Sequence, residues 1–237
     1  TRYMERPAAE AIAAQANAPK TAPICLLGDY AGHLPFSRAL PSGDVATALS
    51  ELTAPLGVYA VFGNHDWHDD PAAKRARQGP THWPRAFEAA GISCLNHRHT
   101  TLHSQGKTIT LVGVDSQRAF HDRFKPVAGC DDLPAALSGA DHNTPTILLA
   151  HEPDLFPGLP KQVDLMLSGH MHGGQIRPFG RALYAPSNYG MRYAYGHYVE
   201  GDQHLVVSGG LGCSSLPIRW GMTPELTIVE LSGAPRS

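Results

Sequence analysis

A chain of 237 residues with 42% hydrophobic content can bury one sizeable core, and 19 basic against 21 acidic residues leave a formal net charge of -2. No basic run tracks a nucleic-acid backbone, no apolar stretch reaches the length of a membrane span, and no signal-peptide pattern is visible from Thr1 onward. The four cysteines, Cys25, Cys94, Cys130 and Cys213, form no Cys-x-x-Cys pair, which argues against a structural zinc or a dithiol redox motif.

In chain order, alanine-rich Glu5 to Ala16 predicts a helix ending near Pro19. Pro23 to Leu27, closed by Gly28-Asp29, predicts a buried strand. Asp44 to Leu52 predicts a helix with Ser42 or Asp44 near its N-cap, and Gly57 to Phe62 a second buried strand. The polar, Pro- and Gly-bearing stretch Trp67 to Thr81 predicts a loop, and Trp83 to Ala90 a short helix stopped by Gly91. Ile92 to Leu95, Thr100 to His103 and Lys107 to Val114 predict successive strands with Gly106 in a turn. Asp131 to Leu137 predicts a helix, and Thr146 to Ala150 and Val163 to Ser168 two more buried strands. Past Gly180 the pattern predicts strands alone, at Arg192 to Val199, His204 to Ser208 and Glu225 to Leu231. Strand–helix alternation followed by strands favours two packed sheets with helices outside, in one domain over 1–237.

Four of the apolar runs end alike. Cys25-Leu26-Leu27 meets Gly28-Asp29, and Ala60-Val61-Phe62 meets Gly63-Asn64-His65-Asp66. Ile147 to Ala150 meets His151, and Leu165 to Ser168 meets Gly169-His170-Met171-His172. Buried parallel strands bring their C-terminal ends to one sheet edge, so side chains distant in sequence converge there. Carboxylate, amide oxygen and imidazole together suit divalent manganese, iron, nickel or zinc, and the absence of thiolates from the set argues against a closed structural zinc site.

The ordered set resembles the calcineurin-like metallophosphoesterases, matching four of that superfamily's five motif blocks. Gly169 to Ile176, and the tail from Ser208-Gly209-Gly210-Leu211-Gly212 through Leu216-Pro217-Ile218-Arg219, are similar to a bacterial subgroup that is often exported or membrane-associated. The resemblance implies a four-layer α/β/β/α sandwich with two mixed β-sheets. It implies that Asp29 bridges two metals, that Asn64, His151 and His170 complete the shell of the second, and that His172 binds the first. His65 would face the substrate phosphate and the leaving group, with Asp66 orienting its ring, and a metal-activated hydroxide would attack phosphorus. The substrate would be a phosphodiester, a phosphomonoester or a pyrophosphate-linked compound. A lipid-linked substrate, peripheral membrane association and a place in the cytoplasm or the bacterial envelope rest on the subgroup alone. Asp66, where the Ser/Thr protein phosphatases carry Glu, makes a protein substrate the weaker expectation.

The family's first block, Asp-x-His at the end of the first strand, is the departure. Asp66-Trp67-His68 has that spacing but belongs to another block. The expectation is a first strand lost upstream of Thr1 and one metal held well, at the second site, because two protein ligands fix too little of a coordination shell. The rival reading is a non-catalytic scaffold of the same fold that binds a partner protein; an intact His65 counts against it. His33 and His68 read as surface residues, and Tyr30 and Trp67 as cleft wall or packing. Asp115 ends a strand-like run without a family counterpart. Asp69, Asp70, Asp131 and Asp132 read as solvated loop charges.

Overall fold

The computed structural model describes residues 12–17, 22–32, 39–122, 129–182 and 184–232. Three short strands, β1 (Ile24–Leu26), β2 (Val58–Ala60) and β3 (Ser93–Cys94), pair in that order, all parallel. A second sheet runs β4-β5-β6-β7-β9-β8. Its strands are β4 (Arg98–Ser104), β5 (Lys107–Gly113), β6 (Thr146–Leu149), β7 (Leu165–Ser168), β8 (Gly196–Glu200) and β9 (Gln203–Val207). The β4/β5 and β8/β9 hairpins are antiparallel at its two ends, and β5, β6, β7 and β9 are parallel between them.

Among the described residues only the larger sheet is therefore mixed, where the resemblance implied two mixed sheets. Helix α2 (Ser42–Leu49) lies between β1 and β2, and α5 (His82–Ala89) between β2 and β3. Helical crossovers of that kind return the chain parallel to its previous strand.

Two-residue alternation sorts the core into layers. Val61, Leu111, Ile147, Leu149 and Leu165 fill the space between the sheets, with Leu27 and Tyr59 against them. On the outer face of the small sheet Val58, Ala60 and Phe62 pack with Ala46, Trp83 and Phe87, the last three from α2 and α5. On the outer face of the large sheet Val112, Leu148, Met166 and Leu205 pack with Ala136 of α6 (Leu133–Leu137) and Phe156 of the 3-10 turn Pro153–Gly158. Helix, sheet, sheet and helix thus stack in the implied order. The described part of the first helix, α1 over 12–16, places Ala13 in the α2/α5 layer; residues 5–11 of that expected helix lie outside the described residues.

Several expectations need correction. The stretch from Trp67 to Thr81 is not a loop: it holds the end of α3 (Asn64–His68) and all of α4 (Pro71–Ala76). Asp70 caps α4 by accepting from Ala73 N–H at 3.0 Å, and Pro71 occupies the first helical position, where a missing N–H costs nothing. Asp132 caps α6 in the same way through Ala135 N–H at 2.9 Å, and Asp69 lies 3.4 Å from His82, so these three are not free loop charges. The segment Glu225 to Leu231 joins no sheet among the described residues. Val229 packs on the inter-sheet core while Leu226, Ile228 and Leu231 face solvent, so the segment buries one apolar residue and no continuous face. Helix α2 starts after Pro41 with no side-chain cap; Asp44 sits in its first turn, where a carboxylate favours the helix dipole.

Candidate metal centre

β1, β2, β6 and β7 end at one place, and each hands over to a turn carrying a donor side chain. One carboxylate oxygen of Asp29 and one ring nitrogen each of His151 and His170 lie within 4.8 Å of one another. His151 Nε2 stands 3.1 Å from Asp29 Oδ2 and 3.1 Å from His170 Nδ1. The opposite ring nitrogens are spent on backbone: His151 Nδ1 donates to Leu27 C=O at 2.6 Å, and His170 Nε2 to Pro186 C=O at 3.0 Å. His172 is anchored likewise, by a bond to Gly212 C=O, with Arg219 Nη2 3.4 Å from its Nδ1. Such bonds set ring orientation and tautomer, leaving the other nitrogen for a cation.

The backbone makes these turns under strain. Asp29 (φ 60°), His170 (φ 63°) and His172 (φ 48°) all occupy the left-handed region, which costs a non-glycine residue roughly 1 kcal/mol or more. Gly28 and Gly63 give the room. A Cβ on Gly28 would stand 2.5 Å from Gly63 N and 2.8 Å from His151 Nδ1, and one on Gly63 would collide with Asp29 Oδ1. His65 N–H donates to Asp29 Oδ1 at 2.9 Å, so the same close approach fixes the carboxylate.

Asp66 does something other than orient His65. It is fully buried, and both oxygens are filled by backbone: Tyr30 and Ala31 N–H on Oδ1 at 2.8 and 2.9 Å, Asp29 and Gly63 N–H on Oδ2 at 2.9 and 2.8 Å. Its carboxylate is the knot that holds the Asp29 turn against the Gly63 turn.

Burial would lower His151, but the Asp29 carboxylate beside it overrides that and raises its pKa to about 10. Burial likewise pushes Asp29 up, and the charges of His151, His65 and His170 outweigh it, holding Asp29 well below the usual carboxylate range. His170 is lowered, by burial first and then by His151. His172 is lowered to about 4 by burial, with Arg219 adding to it. Across the 3.1 Å between them, Asp29 and His151 thus favour each other's charged forms.

Sequence reasoning missed the second ring of acids. Glu152 is buried and accepts from Ser116 Oγ at 2.5 Å and Gln117 N–H at 3.0 Å. Asp154 is buried and accepts from Ser187 Oγ at 2.5 Å and Asn188 N–H at 2.8 Å, which fixes the loop whose Pro186 carbonyl orients His170. The only sequence signal was their place directly behind His151.

Other candidates fall as follows. Asn64 is buried beside Gly63, and its Oδ1 has no hydrogen-bond partner among the described residues. His172 stands outside the tightest set. His68 is half-buried with its ring 5.8 Å from that of His65, so it is not a surface residue; His33 lies outside the described residues. Trp67 is buried and donates from Nε1 to Asp115 at 2.6 Å, and Tyr30 packs on Phe62 and Phe87 while donating to Val61 C=O at 3.0 Å. Both are packing residues, and Asp115 is a structural acceptor that also takes Asn96 Nδ2 at 2.8 Å.

The sequence model of the calcineurin-like phosphoesterases matches residues 5–174. The chain belongs to that family. It is similar to the metallophosphoesterase YkuE of Bacillus subtilis, at 32% identity over 190 residues, 79% of this chain and 60% of that protein. It is similar also to the phosphodiesterase YaeI of Escherichia coli K12, at 31% over 210 residues, 88% of this chain and 69% of that one. The chain therefore spans 60% and 69% of the lengths of these two relatives. Among solved structures it is similar to the sulfate thiohydrolase SoxB of Thermus thermophilus, with a TM-score of 0.44 and 14% identity over 75% of this chain and 32% of that one.

Calcineurin-like phosphoesterases bind divalent metals, and the residues here fit such an ion. Asp29, His151 and His170 present one oxygen and two nitrogens to a common point. Asn64 Oδ1, buried and unpartnered, is a polar atom whose desolvation a cation would offset. The anchored second nitrogens complete a pattern typical of metal-ligating histidines. Among the described residues no helix is long and apolar enough to cross a membrane.

Proposed function

We propose that this chain hydrolyses a phosphate ester with divalent metal, with Asp29, Asn64, His151 and His170 holding one ion well and His172, with Asp29, meeting a second. The observation that carries the reading is the convergence of Asp29, His151 and His170, each histidine anchored through its far nitrogen. Bound divalent ions acidify water to the point of nucleophilicity near neutral pH and offset charge on the phosphoryl group. The chain's own residues do the rest. Asp66 keeps the Asp29 and Gly63 turns together, Asp29 Oδ1 is fixed by His65 N–H, and the His65 ring gives a proton to the departing oxygen.

The Escherichia coli relative is a phosphodiesterase, which supports a phosphodiester as the first substrate to try. A lipid-linked or pyrophosphate-linked ester, and peripheral contact with a membrane, remain part of the proposal for the natural substrate. The test is reconstitution of the metal-free protein with manganese, iron, zinc or nickel, followed by metal analysis and turnover of bis(4-nitrophenyl) phosphate. About one tightly held ion per chain and metal-dependent release of nitrophenol are expected. Tight metal binding without turnover of any aryl ester would favour the scaffold reading instead.

A further inference from the structure

We infer that Arg118 binds the phosphoryl oxygens of the substrate, as an anion subsite facing the metal centre; this rests on the hydrolase reading above. β5 pairs in parallel with β6, and β6 with β7, so the C-terminal ends of all three share one sheet edge. His151 follows β6 and His170 follows β7. The chain leaving β5 runs through Val114 to Arg118 at that same edge, next to the strand that delivers His151.

That run is pinned. Asp115 is tied to Trp67 Nε1 at 2.6 Å and Asn96 Nδ2 at 2.8 Å. Buried Glu152, the neighbour of His151 in sequence, accepts from Ser116 Oγ at 2.5 Å and Gln117 N–H at 3.0 Å, and Ser116 Oγ accepts from Arg118 N–H at 3.1 Å. The backbone of Arg118 is thus positioned by the element that also carries His151.

Its side chain is half-buried, and among the described residues its guanidinium makes no hydrogen bond or ion pair, whereas Arg219 is spent on the carbonyls of Gly209 and Gly212 and Arg192 on Glu200. The charge of Arg118 nevertheless reaches His170, where it adds to the lowering of that imidazole. A guanidinium at the sheet edge that carries a divalent-cation site repels the cation. The arrangement is favourable once an anion lies between them, and a phosphoryl group matches both demands: some oxygens for the metal, two others for the planar donor fork. Two acids of the centre are engaged elsewhere: Asp29 faces His151, and Glu152 is taken by Ser116 and Gln117.

The experiment uses the metal-loaded chain, with inorganic phosphate as the binding probe and bis(4-nitrophenyl) phosphate as the substrate. Arg118→Ala should weaken phosphate binding by roughly 10- to 100-fold, the range of one charge-assisted pair, and raise KM, with bound metal per chain and Tm unchanged. Arg118→Lys should restore part of the phosphate affinity, because the charge remains and the fork does not. Unchanged phosphate affinity in Arg118→Ala with metal retained would overturn the subsite and leave Arg118 as a surface residue. Loss of metal or of Tm in both variants would also overturn it, as a folding role. Arg118-dependent phosphate binding without any ester turnover by the wild-type chain would uphold the subsite while removing the hydrolase reading.

Discussion

Each histidine of the centre divides its ring between a backbone carbonyl and the common point, and that division separates holding a metal from moving a proton. His151 and His170 are committed on both nitrogens, to Leu27 and Pro186 on one side and to the Asp29 cluster on the other. His65 contributes its backbone N–H to Asp29, and its ring stands outside that cluster. His65→Asn should therefore retain metal and lose turnover by ~100- to 10,000-fold, with a smaller loss for nitrophenyl esters, whose leaving groups need little protonation. Leaving-group dependence measured on aryl and alkyl esters checks this, and equal losses across both would remove the acid role.

Asp66 separates a holding role from an orienting one. An amide in place of its carboxylate turns an NH₂ toward two of the four backbone N–H donors, and each buried donor left unpaired costs about 1–3 kcal/mol. Asp66→Asn should lower both the urea midpoint and the metal affinity, since the Asp29 turn is no longer tied to Gly63. A variant that kept stability and metal but lost turnover would return Asp66 to the role of orienting His65.

At the level of elements, caps and crossovers decide where the donors stand. α4 is short, and Asp70 supports it from both ends of a small network, accepting from Ala73 N–H at 3.0 Å and lying 3.3 Å from His82 Nδ1. The Ala73 N–H chiefly, against a modest effect of burial and with help from His82, holds the Asp70 pKa below the usual range. A carboxylate with a lowered folded pKa stabilises above its unfolded value and loses that stabilisation as pH falls through the folded one. Asp70→Ala should thus cost about 1 kcal/mol near pH 7 and a shrinking amount below pH ~4. Chemical denaturation of both proteins across pH measures the gap; a gap that widened in acid would show that the cap does not act through the carboxylate.

For the whole molecule, the centre joins two sheets that share one apolar layer. Asp29 and Asn64 come from the small sheet and His151 and His170 from the large one, so an ion bound between them ties the layers together as Leu111, Leu149 and Val61 do by packing. A ligand bound only by the folded state adds stability by mass action, ~2.7 kcal/mol when present at a hundred times its Kd. For a chain of this length, removing the ion with a chelator should lower Tm by roughly 5–10 °C, reversed by added manganese or zinc. A Tm indifferent to chelator and metal in scanning calorimetry would count against an ion held between the sheets.

The sequence by itself determined the order of the donors, because the pattern that ends a buried strand, an apolar run closed by glycine and a polar side chain, is local and survives without coordinates. The strand-end places of Asp29, Asn64, His151 and His170 were legible on that ground, as were nearly all strands, whose alternation or apolar runs report the layers they face. The tertiary structure decided what local pattern cannot carry. Asp66 looked like a partner of its neighbour His65, yet its four donors include three from residues 29–31, reached only by folding. Glu152 and Asp154 carry no pattern of their own, yet burial turns them into fixed acceptors for Ser116 and Ser187. Glu225 to Leu231 is apolar enough to suggest a strand, but a strand needs a neighbour's backbone, and which backbone lies alongside is settled by the fold. Arg118 shows no motif at all; its meaning comes from the sheet edge it shares with His151 and from the absence, among the described residues, of a partner for its charge.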